Sequence, residues 1–234
     1  MPRQPASKAL HHQIHEQLRA EILRGDLPVG TPLRQDALAE RFDASRIPVR
    51  EALRQLEAEG LIVHRLNKGA VVAGMSVAEI CEILDIRVVL ECYAARLAVP
   101  NMVERDFEAM EKILDAYSAS DSLTEWAEYN RRFHLALSAP ANNRRLRRLI
   151  EEFCLNTDRY THVEMSKATG KEGPQADHYR MLEAARRRDA DSVVALLEEH
   201  ILETKRELLA VARAQEDGEL HDHPGLPLLD QASR

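Results

Sequence analysis

A chain of 234 residues, 44% hydrophobic and 30% charged, is long enough for two modest cores. No run of about 18 uncharged apolar residues is present to span a bilayer, and Met1 to Leu10 lacks the apolar stretch of a secretory signal, so a cytoplasmic protein with no membrane partner is expected. The net charge of −7 is unevenly placed: residues 1–75 carry 11 Lys+Arg against 9 Asp+Glu, and the remainder 21 against 30. That split suits a module facing a polyanion, attached to an acidic body.

From Leu10 to Arg24 the apolar positions Leu10, Ile14, Leu18, Ile22 and Leu23 recur at helical spacing, and Gly25 supplies a stop. The turn formers of Asp26 to Pro32 follow, then a short amphipathic helix over Leu38 to Phe42. After a turn at Asp43-Ala44, Ser45 is placed to cap a third helix running to about Glu59, with Val49, Leu53 and Leu56 on one face and Gly60 beyond its end. Two β-prone runs, 61–65 and 70–73, flank the hairpin signal Leu66-Asn67-Lys68-Gly69. Three helices closed by a hairpin predict a winged helix-turn-helix over residues 1–74.

Helical periodicity then repeats from Ser76 to about Arg213, broken at Pro100-Asn101, Ser118 to Ser122, Pro140 to Asn143, Gly170 to Pro174 and Asp189 to Asp191. The fold class is therefore mostly α, with an antiparallel bundle of about six or seven helices over 75–214 and a disordered tail over 215–234. Cys81, Cys92 and Cys154 are odd in number, lack C-x-x-C spacing and lie among apolar neighbours, which predicts buried free thiols.

Arg46 and Arg50, four residues apart, share a face in the first two turns of the third helix, where a recognition helix meets DNA. An arginine fork suits guanine O6 and N7 or phosphate oxygens. Lys68 at the hairpin tip is placed to reach a phosphate or the minor groove, and Gly69 permits the turn. Gly25 to Gly30, Leu38 to Phe42, Ser45 to Leu53, Leu56 to Leu61 and Asn67-Lys68-Gly69 together resemble the GntR family of regulators. The resemblance implies a homodimer reading a short pseudo-palindromic operator in double-stranded DNA, with Arg34, Ser45, Arg46, Pro48, Arg50, Asn67, Lys68 and Gly69 as the DNA-facing set. The family often carries a basic residue where this chain has Asp36, and Arg34 is the substitute at hand.

In the body, Leu123, Trp126, Ala127, Asn130, His134 and Leu137 form an inward stripe, so an amide and an imidazole share a face. His178 and His200 each stand eleven positions from Asp189, which sets them opposite one another about 16 Å from the turn of a helical hairpin. A single inward histidine is more often a hydrogen-bonded core residue than a ligand. Four inward polar side chains on three helices are costly to bury unsatisfied, about 1 to 3 kcal/mol each, and a shared cation is one way to satisfy them. By contrast, His11 and His15 in the first helix are read as an exposed face, and His221 and His223 as part of the tail.

Asn130-x-x-x-His134, Asn143, His178 and His200 also resemble the metal-binding set of the FCD effector domain found in FadR-type regulators. The resemblance implies a divalent ion, zinc first and nickel or manganese next, that helps hold a small carboxylate effector. The first ligand there is usually aspartate, where this chain has Asn130. Neutral donors leave the charge of the ion uncompensated, which favours an acid as effector. Arg87 lies inward on the first bundle helix, either in a structural ion pair with Glu91 one turn later or as an effector contact. Asn156 and Arg159 are weaker pocket candidates. The function expected is operator binding controlled by that effector. The alternative is a metal-dependent hydrolase, against which stands the lack of a general base within a turn of the ligands, Glu199 being placed to point away.

Overall fold

The computed structural model describes residues 5–65, 69–169 and 172–216, with side chains described over 10–65, 69–122, 125–158 and 173–214. The chain divides into two compact units at Met75/Ser76.

In the first unit, helices α1 (Pro5–Arg24), α2 (Gln35–Arg41) and α3 (Arg46–Ala58) precede strands β1 (Ile62–Arg65) and β2 (Gly69–Val72). The apolar stripe read from α1 is the core: Ile14, Leu18 and Ile22 pack with Leu38, Val49, Leu53, Leu56, Ile62 and Val72. Helix α1 begins at Pro5, five residues before the expected start. Ser45 stands at the N-cap of α3 with extended backbone, but its side chain makes no cap hydrogen bond. The far end of α3 closes on Gly60, whose φ of +73 lets Leu61 N–H return to Leu56 O at 2.9 Å.

Strands β1 and β2 pair antiparallel, Ile62 opposite Val72 and Arg65 opposite Gly69. The segment read as turn formers adds a short extended edge to this wing, because Thr31 to Leu33 runs along β2, with Val72 N–H donating to Thr31 O at 3.0 Å and Leu33 N–H to Ala70 O at 2.8 Å. Pro32 fits there because an edge position leaves its missing N–H without consequence.

The second unit holds α4 (Val77–Ala98), α5 (Glu104–Ala119), α6 (Leu123–Ser138), α7 (Arg144–Thr169), α8 (Glu172–Arg186) and α9 (Ala190–Glu216), with single 3-10 turns at Val99–Asn101 and Ala139–Ala141. Helix α4 opens on a capping box: Glu79 N–H donates to Ser76 Oγ at 3.2 Å and Ser76 N–H to Glu79 Oε2 at 2.7 Å. It is the central helix, in contact with α6, α7 and α9. Asn143 proves to be a cap as well, its Oδ1 accepting from Leu146 N–H at 3.1 Å at the start of α7. Helix α8 turns back onto α9 through Arg188, whose φ is +60, and Asp189 caps α9 by accepting from Ser192 N–H at 3.0 Å. Cys81 and Cys154 are buried and Cys92 is half-buried, all three as free thiols. Among the described residues no helix is long and apolar enough to cross a membrane. The tail expected over 215–234 lies, from residue 217 on, outside the described residues.

Candidate functional site

Three helices of the second unit each deliver one histidine to a common point. His134 of α6, His178 of α8 and His200 of α9 are 2%, 0% and 7% exposed, and one donor atom from each lies within 4.8 Å of the others. The ring centroids of His178 and His200 are 4.7 Å apart, as the equal spacing from the hairpin turn requires. Phe133 packs on His178 at 4.6 Å between centroids and Tyr117 meets it edge-on at 6.1 Å, walling the cluster in apolar surface. Asn130 is buried one turn before His134 on the same helix.

The tautomer of His134 follows from its partner. Its Nδ1 lies 2.6 Å from Glu91 Oε2, and an ionised carboxylate only accepts, so Nδ1 carries a proton and, in the neutral ring, Nε2 carries the lone pair. That Nε2 is buried and has no hydrogen-bond partner among the described residues. Glu91 stays ionised although burial pushes its carboxyl up, because the Arg87 charge and then His134 outweigh that and hold it down at about 2. Arg87 Nε donates to Glu91 Oε1 at 2.7 Å and Nη1 to Thr157 Oγ1 at 2.8 Å. Burial alone would lower the Arg87 pKa, yet it is raised, and since burial keeps the Cys154 thiol protonated, Glu91 is the charge that holds it. Arg87 is thus an ion-pair partner of Glu91.

His200 is tied similarly, with Nδ1 3.3 Å from Asp177 Oδ2. Burial pushes its pKa below the ordinary value, partly opposed by Asp177, so the imidazole is neutral at neutral pH. Asp177 in turn is held below its usual range, first by the His200 hydrogen bond. From α7, Cys154 and Thr157 reach this network. Asn156 is half-buried on the same helix, and the Arg159 side chain lies outside the described residues. Glu199 points away as expected, pairing with Arg206 at 2.5 Å. The sequence held no signal for the contact of Glu91 with His134, since the two lie 43 residues apart. Phe133 and Asp177, each adjacent to a cluster histidine, carried a signal that was passed over.

On the first unit, Arg46 and Arg50 are exposed along α3, and Arg34 is exposed just before α2. Pro48 does not share that surface: it is buried in α3, so its place in the DNA-facing set is corrected to a packing role. Ile47, between the arginines, is 58% exposed and was missed. Asp36 pairs with Arg46, Oδ1 to Nε at 2.5 Å. Gly69 opens β2 with φ +72, while Asn67, Lys68, His221 and His223 lie outside the described residues. The expected exposed face at His15 is overturned. The ring is buried, with Nε2 2.8 Å from Glu59 of α3 and Nδ1 3.1 Å from Glu16, because α3 packs over that side of α1. His12, His15 and Glu16 also place donor atoms within 4.8 Å of one another, but both nitrogens of His15 already face carboxylates.

Comparison with known proteins matches residues 10–72 to the bacterial regulatory proteins of the gntR family and residues 82–203 to the FCD domain. The HTH-type transcriptional repressor RspR of Escherichia coli (strain K12) is 27% identical over 219 residues, covering 92% of this chain and 94% of that protein. A solved transcriptional regulator of the GntR family from Pseudomonas syringae pv. tomato str. DC3000 is 34% identical, covering 93% of this chain and 92% of its own, with a TM-score of 0.58. E. coli McbR/YncC, at 23% identity and a TM-score of 0.72 over 86% of this chain and 98% of its own, shares the fold. These relatives are transcriptional regulators, which favours that reading over the hydrolase alternative. With a winged helix-turn-helix followed by an FCD domain, the chain belongs to the GntR family of bacterial regulatory proteins and is a DNA-binding transcriptional regulator.

Proposed function

We propose that the second unit is a metal-centred receptor for a small carboxylate, and that its occupancy alters the affinity of a dimer of winged heads for operator DNA. The observation that carries this reading is the buried Nε2 lone pair of His134, without a protein partner among the described residues and set beside His178 and His200. A divalent ion is the simplest occupant of three converging imidazoles. His134, His178 and His200 would hold it, with the amide oxygen of Asn130 as the fourth donor. Nitrogen-rich donors favour zinc, then nickel, over manganese.

Charge points to an anionic effector. Asn130 is neutral, a histidine binds a metal in its neutral form, and the carboxylate of Glu91 is already answered by Arg87. The compensating charge for a dication must then come from a ligand. Arg87 supports this indirectly by fixing Glu91, and an effector reaching Arg87 itself would have to displace Thr157. A homodimer is the natural reader of a pseudo-palindromic site. The exposed stripe Ile86, Val89 and Tyr93 on α4 supplies an apolar face for a second copy.

Metal content of the purified chain, measured beside His134→Ala and His178→Ala, tests the centre: about one ion per chain is expected in the parent and little in the variants. Operator affinity titrated with small carboxylates then tests the switch, with a coupling of about 1 to 3 kcal/mol expected. A metal-free protein that zinc neither binds nor stabilises would remove the proposal.

A further inference from the structure

Asp36 is an acid on a surface built to meet a polyanion. It lies in the first turn of α2 with its side chain 71% exposed, and its Oδ1 is 2.5 Å from Nε of Arg46, the first residue of α3, whose side chain is 73% exposed. Neither group serves the core, and an ion pair this open to water adds little to folding. Its effect is instead on where the guanidinium points. Held at Nε, the nitrogen nearest the chain, Arg46 keeps its terminal Nη groups for other partners, and those are groups that can grip guanine O6 and N7 together. The same carboxylate repels any phosphate that approaches the guanidinium closely, a repulsion that grows as docking expels water. Arg50, one turn further along α3, is held less tightly, 3.9 Å from Glu51. One arginine of the reading face is thus clamped and the other is free to follow the backbone.

We infer that Asp36 is a positioning residue for sequence selection: it aims Arg46 at a guanine edge in the major groove and denies that arginine to phosphates. Asp36 thereby exchanges general DNA affinity for base preference at one position of each half-site.

The test uses the full chain, with Asp36→Ala, Asp36→Glu and Arg46→Ala beside the parent. Each is taken through selection from a randomised duplex pool, and its affinity for a random-sequence duplex is measured across salt concentrations. The parent is expected to select a guanine that Arg46→Ala no longer selects. Asp36→Ala is expected to lose at least about five-fold of that preference and to bind the random-sequence duplex about three- to ten-fold more tightly, with a salt slope steeper by about one. Asp36→Glu, keeping the charge, is expected to recover part of the preference. Parent selection without an Arg46-dependent guanine, or Asp36→Ala binding all DNA more tightly with that preference intact, would overturn the inference.

Discussion

His134 Nδ1 and Glu91 Oε2 lie 2.6 Å apart between α6 and α4, and this one contact orients the imidazole while tying it to the buried Arg87–Glu91 pair. The Glu91 carboxyl titrates at about 2, below its ordinary value of 4.5. Between those values the unfolded chain binds the proton and the folded chain does not. The stabilisation is therefore complete above about pH 4.5 and is lost as pH falls towards 2. Trp126, the single tryptophan, sits in α6 and reports on the same unit. Its fluorescence should follow acid unfolding in that window. Glu91→Gln should be about 3 kcal/mol less stable at neutral pH, because it leaves Arg87 charged and buried, and should lose most of the acid dependence. An unchanged acid profile in the variant would contradict the assignment.

Asp177 allows the same support to be tested with less damage to the fold, since its side chain is 23% exposed where Glu91 is buried. Removing the carboxylate that fixes His200 should cost about ten-fold or more in metal affinity while leaving thermal unfolding of the metal-free protein nearly unchanged. Asp177→Ala, titrated with zinc against a competing chelator, gives this directly. Equal affinity in parent and variant would mean that the Asp177 contact is incidental.

What could be read from the chain beforehand has a physical pattern. Ile14, Leu18 and Ile22 repeat along one helix, and His178 and His200 are equidistant from one turn, so local geometry alone fixes where they face. Contacts between helices distant in sequence leave no such trace. Glu91 was legible as a partner one turn from Arg87 but not as the group that orients His134 across to α6. His15 adjoins the stripe residue Ile14, which reads as solvent-facing until α3 brings Glu59 over it. The extended run at Thr31 to Leu33 was hidden because Gly30 and Pro32 read as turn formers, and only the neighbouring β2 makes a strand partner of it.

Phe133 is fully buried and packs on His178, so truncating it removes both core volume and one wall of the cluster. Phe133→Ala should destabilise the second unit by about 3 to 5 kcal/mol in denaturant titrations. Phe133→Leu should keep most of that stability yet lose the ring face against the imidazole. If the aromatic wall matters for holding His178 in place, zinc affinity of Phe133→Leu will fall by more than its stability does. Parallel losses would assign Phe133 to packing alone.

Gly69 separates backbone strain from crowding in the wing. Its φ is +72, and a Cβ built there would meet nothing within 4 Å. Any cost of substitution must then come from placing an L residue in the left-handed region, about 1 to 2 kcal/mol for alanine and less for asparagine, whose short polar side chain tolerates it. Gly69 is also the residue paired with Arg65 at the loop end of the hairpin, so strain there acts on the wing and not on the core of the head. Gly69→Ala should weaken operator binding several-fold, while circular dichroism shows the helices intact. Gly69→Asn should sit between the two. The reverse order, with asparagine more damaging than alanine, would point to side-chain bulk at the DNA and not to backbone conformation as the reason for glycine at this position.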